Sequence, residues 1–260
     1  HLSKYGGVLT EDKKTWYSSA KALKGLNNKT IGKLLPGQSV ADFEDVKDFL
    51  RPNMIRIYKC KNVILDGVTF QNSPAWTTHL MMSEHITINN LKVKNPFFAT
   101  NTDALDLESC KNATVTNCNF DTGDDGITIK SGRDESGRKR AMPTQDVIVN
   151  NCTVYRSHGG FVVGSEMSSG VKNMFVSNCT FIGSDIGLRF KTTRGRGGTV
   201  ENIYVNNINM KDIVAEAVLF DMYYAAKDPV ALAGEKREPP VVEFKPVDET
   251  TPQFKNFYFR

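Results

Sequence analysis

Short runs in which apolar and polar side chains alternate recur along most of the chain, and each closes on a bend built from asparagine, cysteine or glycine. They read Asn62-Val63-Ile64-Leu65-Asp66-Gly67, His85-Ile86-Thr87-Ile88-Asn89-Asn90, Asn112-Ala113-Thr114-Val115-Thr116-Asn117-Cys118, Asp146-Val147-Ile148-Val149-Asn150-Asn151-Cys152, Asn173-Met174-Phe175-Val176-Ser177-Asn178-Cys179 and Asn202-Ile203-Tyr204-Val205-Asn206-Asn207. A seventh phrase begins at Asn256-Phe257-Tyr258. Alternation with period two predicts strands with one buried face. The phrases end at 67, 90, 118, 152, 179 and 207, so steps of 23, 28, 34, 27 and 28 residues separate them, and a period in that range marks a solenoid. No helical spacing joins the runs. Each step therefore predicts one coil of a β-helix, in which every strand pairs with its equivalent one turn on. Asparagine suits such a stack, because its amide donates to one neighbour and accepts from the other. A β-sandwich needs turn signals about every 8–12 residues and would not return one phrase at this longer period.

The coils are clear over residues 54–224. Residues 1–53 do not repeat, and Trp16-Tyr17, the scattered lysines and the segment 40–47 predict an irregular excursion with a short helix. A second excursion, Ser131-Gly132-Arg133-Asp134-Glu135-Ser136-Gly137-Arg138-Lys139-Arg140, is polar and punctuated by glycine, which predicts a loop. Residues 225–260 read as a Pro-rich loop carrying Pro229, Pro239, Pro240 and Pro246, followed by a final strand. Proline lacks the donor a strand needs, so this loop leaves the sheet. The expectation is one β-helix domain over 1–260, trimmed at both ends, since the chain starts at His1, stops inside a phrase and shows no caps.

Composition narrows the partners. With 40% hydrophobic and 24% charged residues the chain can bury a continuous core, and no run of about 18 apolar residues is present to span a membrane. Cys118, Cys152 and Cys179 share one repeat position, which predicts an inward stack of free thiols, and Cys60 and Cys110 are expected free as well. No metal is expected: a Cys-x-x-Cys pair is absent, and His1, His79, His85 and His158 form no ligand cluster. The net charge of +4 favours an anionic polymer through steering. Lysine and arginine are scattered rather than striped, which argues against nucleic acid.

The candidate chemistry lies in Asn101-Thr102-Asp103 and Thr122-Gly123-Asp124-Asp125. Asp103 and Asp124 are 21 positions apart, close to one turn, so they should meet on adjacent coils of one face. Paired carboxylates are what glycoside hydrolysis requires. Repulsion among them should raise one pKa and leave a proton available. One coil later comes Ser157-His158-Gly159-Gly160, and the next offers Arg189-Phe190-Lys191, whose two cations point the same way along a strand and suit a carboxylate-bearing ligand.

In that order, Asn-Thr-Asp, Gly-Asp-Asp, His-Gly and Arg-x-Lys resemble glycoside hydrolase family 28, the polygalacturonases and related pectin hydrolases. Gln71-Asn72-Ser73-Pro74-Ala75-Trp76-Thr77, Lys130-Ser131-Gly132-Arg133-Asp134, Val163-Gly164-Ser165-Glu166-Met167 and Gly195-Arg196-Gly197-Gly198 strengthen the likeness to bacterial members. The resemblance implies an all-β fold, a right-handed parallel β-helix of the pectin-lyase-like type, and an inverting, cofactor-free hydrolase of galacturonate polymers. It implies Asp124 as the general acid, Asp103 and Asp125 as the groups that activate water, and His158 as keeper of the proton arrangement. It further implies Arg189 and Lys191 as the carboxylate grip, Asn101 on the sugar or on Asp103, and Tyr223 as floor of the subsite. The long first segment and the 131–146 insertion favour exo attack. A secreted or periplasmic monomer acting on plant pectin is the corresponding expectation. Two other readings stand beside it: a uronate lyase or epimerase on the same fold, and a catalytically silent carbohydrate-binding β-helix. Against the family pattern, Ala104 stands where glycine follows Asn-Thr-Asp, Gly126 where cysteine often follows Gly-Asp-Asp, and Phe190 where isoleucine sits between the cations.

Overall fold

A computed structural model describes residues 8, 9, 16, 17, 36, 37, 39, 41, 42, 51–224 and 246–260. The chain divides into two compact units, His1–Pro52 and Asn53–Arg260. In the first, Val8–Leu9 pairs antiparallel with Trp16–Tyr17, and Ala41-Asp42 form a tight turn that Asp42 closes on the Ser39 amide at 2.6 Å. The rest of the segment 40–47, where a short helix is expected, and the whole stretch 225–245 lie outside the described residues.

The second unit is a parallel β-helix. One wall is a seven-stranded sheet running Ile55–Tyr58, Thr78–Met81, Leu105–Glu108, Ile127–Lys130, Phe161–Val163, Leu188–Lys191 and Val218–Asp221. Every neighbouring pair in it is parallel. Parallel crossovers of this kind are right-handed. The repeat phrases build the other wall in the register the sequence predicts: Ile86, Ala113, Val147, Met174 and Ile203 stack in one column, and Ile88, Val115, Val149, Val176 and Val205 in the next. All ten are buried. Because alternate side chains point to opposite faces, a slip of one residue would turn each column out to water.

Asparagine does two jobs at the bends. Asn90, Asn117, Asn151, Asn178 and Asn207 all take positive φ, a left-handed conformation that asparagine tolerates better than other residues with a Cβ. Their amides then join the coils: Asn117 donates to Asn89 Oδ1 at 2.8 Å, Asn151 to Asn117 Oδ1 at 2.8 Å and Asn207 to Asn178 Oδ1 at 2.8 Å. Asn112, Asn173, Asn202 and Asn256 start their phrases in the same conformation, and Asn256 donates to Asn202, which donates to Asn173. All five cysteines are free, with Cys118, Cys152 and Cys179 buried in the core as expected and Cys60 exposed.

The stretch 131–140 is not simply a loop. Asp134–Arg140 forms a short helix, with Asp134 and Glu135 in its first turn and three basic residues in its last. Those charges complement the helix dipole. Tertiary contacts supply the rest: Arg138 donates to the Gly195 carbonyl at 2.6 Å, Arg140 to Glu108 at 2.6 Å, and Arg196 pairs with Asp134. The two glycines that signalled a loop pack against one another, since a Cβ on Gly137 would meet the Gly132 backbone at 2.6 Å. Among the described residues no helix is long and apolar enough to cross a membrane.

Candidate active site

Asp103, Asp124 and Asp125 stand at the entry to two neighbouring strands of the seven-stranded wall. The Ala104 amide donates to the Asp125 carbonyl at 3.0 Å, and the Gly126 amide to that of Gly159 at 2.8 Å, so coil stacking itself aligns the acids. The backbone there leaves no room for larger residues: a Cβ on Gly123 would lie 2.4 Å from the Ala99 carbonyl oxygen. At Gly126, Val154 fills the space a side chain would need, with 2.4 Å to the nearest methyl. Ala104 is wholly buried in the core. Both departures from the family pattern therefore face away from the acids.

The three carboxylates each present an oxygen within 4.8 Å of the others. Each has its own cation. His158 Nδ1 is 3.4 Å from Asp124 Oδ1, and the Asn101 amide donates to Asp124 Oδ2 at 3.1 Å. Lys191 donates to Asp125 Oδ2 at 2.7 Å, with Arg189 at 3.9 Å from Oδ1. Lys130 lies 3.8 Å from Asp103 Oδ2. Among the described residues this trio is also the cluster that could hold a metal ion, and the His158 ring and the ammonium groups of Lys191 and Lys130 already face it.

Ionisation follows from these partners. Burial, then repulsion from Asp106, pushes the Asp103 carboxyl well above the usual carboxylate range, and Lys130 offsets only part of this. Burial acts on Asp124 in the same direction, yet the hydrogen bond and charge of His158 with the charge of Lys191 hold it below its ordinary value. His158 is raised in return, chiefly by its bond to Asp124. One carboxyl of the trio is raised, as repulsion predicts. It is Asp103, however, rather than Asp124, because the exposed rim gives Asp124 a histidine and a backbone donor while Asp103 sits among other acids.

The cations and Tyr223 differ from expectation in instructive ways. Arg189 and Lys191 do share one strand face, but in the free protein they turn to Asp125. Gly159 precedes the strand between, and a Cβ there would meet Val162 at 2.4 Å, so its bareness serves the packing of that strand. Tyr223 is 78% exposed and pairs by its backbone with Thr193, whereas the ring of Tyr224 lies 5.6 Å from the Arg189 guanidinium and 5.1 Å from the Lys191 ammonium. The buried Nε of Arg189 and Oδ1 of Asp125 have no hydrogen-bond partner among the described residues. Sequence reasoning missed Tyr224 and Asp106 and quoted Trp76 and Lys130 only within family-like phrases, with no role; the Lys130 ammonium lies 4.5 Å from the Trp76 ring. Lys130 closes Ile-Thr-Ile-Lys as Lys191 closes Leu-Arg-Phe-Lys, and that parallel was the available signal.

The sequence profile of the glycosyl hydrolases family 28 matches residues 39–259. A probable polygalacturonase of Vitis vinifera is 34% identical over 164 residues, 63% of this chain and 33% of the relative. An endo-polygalacturonase of Pectobacterium carotovorum subsp. carotovorum is 30% identical over 226 residues, 86% of this chain and 49% of that protein. The hyperthermoactive exopolygalacturonase of Thermotoga maritima superposes with a TM-score of 0.66 at 38% identity, covering 68% of this chain and 40% of that one. The family 28 exopolygalacturonase of Yersinia enterocolitica gives a TM-score of 0.69 at 25% identity, over 85% of this chain and 37% of its own. The chain thus spans half or less of the length of these relatives. With the four motifs on one wall of a parallel β-helix and the profile running through nearly every coil, the chain belongs to glycosyl hydrolase family 28.

Proposed function

We propose that the chain carries the catalytic coils of a secreted or periplasmic polygalacturonase that hydrolyses galacturonate polymers by an inverting, exo-acting mechanism. The observation that carries this reading is the charge layout: three carboxylates within 4.8 Å of one another, faced from two strands away by Arg189 and Lys191. A neutral sugar would leave those cations without purpose beyond Asp125. A galacturonate carboxylate gives the orphaned Arg189 Nε a partner and leaves the chain's acids to the glycosidic bond.

Asp124, the most accessible of the three, is the acid that meets the leaving oxygen. For this it must hold a proton, so binding of the anionic sugar has to draw Lys191 away from the acids and raise Asp124, with His158 passing the proton. Asp103 and Asp125, both buried, hold the attacking water. Acid and base in most inverting enzymes are about 6.5–9.5 Å apart. The trio's oxygens come within 4.8 Å of one another, nearer the about 5–5.5 Å of retaining enzymes, so inversion here requires Asp103 and Asp125 to act as two bases on one shared water. Exo attack is favoured by the exopolygalacturonases among the structural neighbours.

Incubation with polygalacturonate tests the whole reading. Saturated reducing ends mean hydrolysis, unsaturated ends a lyase, and binding without products a silent module. Monomer alone from the first time points supports exo attack, and a ladder of oligomers refutes it. Proton NMR of the first-formed anomer decides inversion, and a product that keeps the substrate's anomeric configuration would overturn the shared-water scheme.

A further inference from the structure

Beside the trio lies a second group of ions that the hydrolytic scheme leaves unused. Lys130 places its ammonium 3.5 Å from Asp106 Oδ1, 3.8 Å from Asp103 Oδ2 and 3.3 Å from Glu166 Oε2. Asp106 is completely buried and Lys130 is 4% exposed. Neither oxygen of Asp106 has a hydrogen-bond partner among the described residues. An ion in that setting costs stability unless something requires it. Strand pairing does not: the register partners of Asp106 are His79 and Thr128, and either a polar or an apolar residue would serve beside them.

We propose that Lys130 and Asp106 are positioning residues that set the charge state of Asp103, the ammonium holding it ionised and the opposing carboxylate keeping it basic enough to take a proton from water. The inference rests on the assignment of Asp103 as a base in the preceding section. The other cations are committed elsewhere, His158 to Asp124 and Lys191 with Arg189 to Asp125, so among the described residues Lys130 is the cation that pairs with Asp103. Asp103 is faced by Asp106 on its own strand, by Lys130 and Asp125 from the next, and by Asp124. Asp106 is faced by Lys130, Asp125 and, from the preceding strand, His79. Glu166 faces Lys130 from the following turn.

With two carboxylates and one shared ammonium in a buried site, each negative charge raises the proton affinity of the other. Burial first, and then this repulsion, lifts Asp103 well above its ordinary value, while burial lifts Asp106 to about 6. A base that strong draws a proton from water more readily than an ordinary carboxylate, at the expense of being ionised over a narrower pH range.

The test is the pH dependence of kcat/KM on polygalacturonate for the wild type, Asp106→Asn and Lys130→Met. The acidic limb reports the base that must be ionised in the free protein. Asp106→Asn removes a negative neighbour and should move that limb down by about one pH unit, and Lys130→Met removes the positive one and should move it up by about one, the scale for a charge within about 4–6 Å. Shifts of opposite sign are the signature of charge setting. Limbs that stay put while activity falls, or that move in the same direction, overturn the proposal and make the pair structural. Asp106→Asn is nearly isosteric and carries the test if Lys130→Met does not fold. A carbon-13 titration of the Asp103 carboxyl in wild type and Asp106→Asn needs no turnover. If the wild type hydrolyses nothing, the functional reading fails, yet a lower Asp103 midpoint in Asp106→Asn still supports this inference and an unchanged one sinks it.

Discussion

Lys191→Met probes the link between stability and substrate recognition. Lys191 is 7% exposed at its side chain and Asp125 2%, at 2.7 Å, so the pair is desolvated. Breaking such a pair by removing one member typically costs about 3–5 kcal/mol, because the other charge stays buried without compensation. Arg189 limits the damage. At an effective dielectric of about 20, the attraction across 3.9 Å is roughly 4 kcal/mol against roughly 6 across 2.7 Å, so about two fifths of the combined attraction on Asp125 survives in the guanidinium. The expected loss is therefore toward the low end, about 3 kcal/mol, read as a lower denaturant midpoint at unchanged slope. Asp125→Asn combined with Lys191→Met should recover most of it, since the pair is coupled. Binding behaves differently: both the single and the double variant should bind polygalacturonate about 2–4 kcal/mol more weakly, the range for losing one partner of a desolvated charge pair, and methyl-esterified polymer far less so. An unchanged midpoint in Lys191→Met would refute the buried pair. Equal losses on acidic and esterified polymers would refute the carboxylate grip.

Other expectations follow from the same coordinates. Asp124→Asn should lower kcat by at least about 10³ with little change in KM, as removal of an acid acting only in the transition state does; a variant with near-normal turnover would move the acid elsewhere. Glu108 is depressed from 4.5 to about 2, its burial outweighed by hydrogen bonds from His79 and Arg140. A depressed carboxylate contributes stability above its unfolded pKa and loses it as pH falls through the folded one, so Glu108→Gln should cost about 3 kcal/mol at pH 7 and nearly nothing near pH 2. A difference that did not shrink between pH 5 and 2 would contradict the pairing. Native protein should expose one rapidly reacting thiol to an aromatic disulfide reagent, Cys60, because the other four are buried and burial also pushes Cys110 up to about 12. Two or more fast thiols would break the inward stack.

The fold was legible because the solenoid writes its geometry into a repeating phrase. An asparagine at each bend is needed twice, once for its left-handed backbone and once for its amide, and a residue under two demands recurs visibly. The acids were legible for a related reason: 21 residues are about one coil, so sequence spacing converts directly into contact. What escaped had no local signal of that kind. Asp106 and Lys130 look like the polar half of ordinary alternation, and only their meeting across neighbouring strands shows that both are buried. Tyr223 and Tyr224 are adjacent, and which ring turns to the cations is decided by a bridge to Thr193 that no periodicity encodes. The helix Asp134–Arg140 is assembled by arginines reaching to Glu108 and Gly195, partners far away in sequence.

The pairing of the seven-stranded wall gives the site its ruler. Parallel strands are held about 4.8 Å apart by their backbone hydrogen bonds. Asp103 and Asp125 are one such interval apart, and Asp125 and the Arg189 strand two, a span that the long arginine and lysine side chains cross. The working distances of this chemistry are thus multiples of a main-chain length. Exchanging loops can reshape what approaches this wall, but the gauge between the three carboxylates and the two cations stays the same for any tenant of these coils.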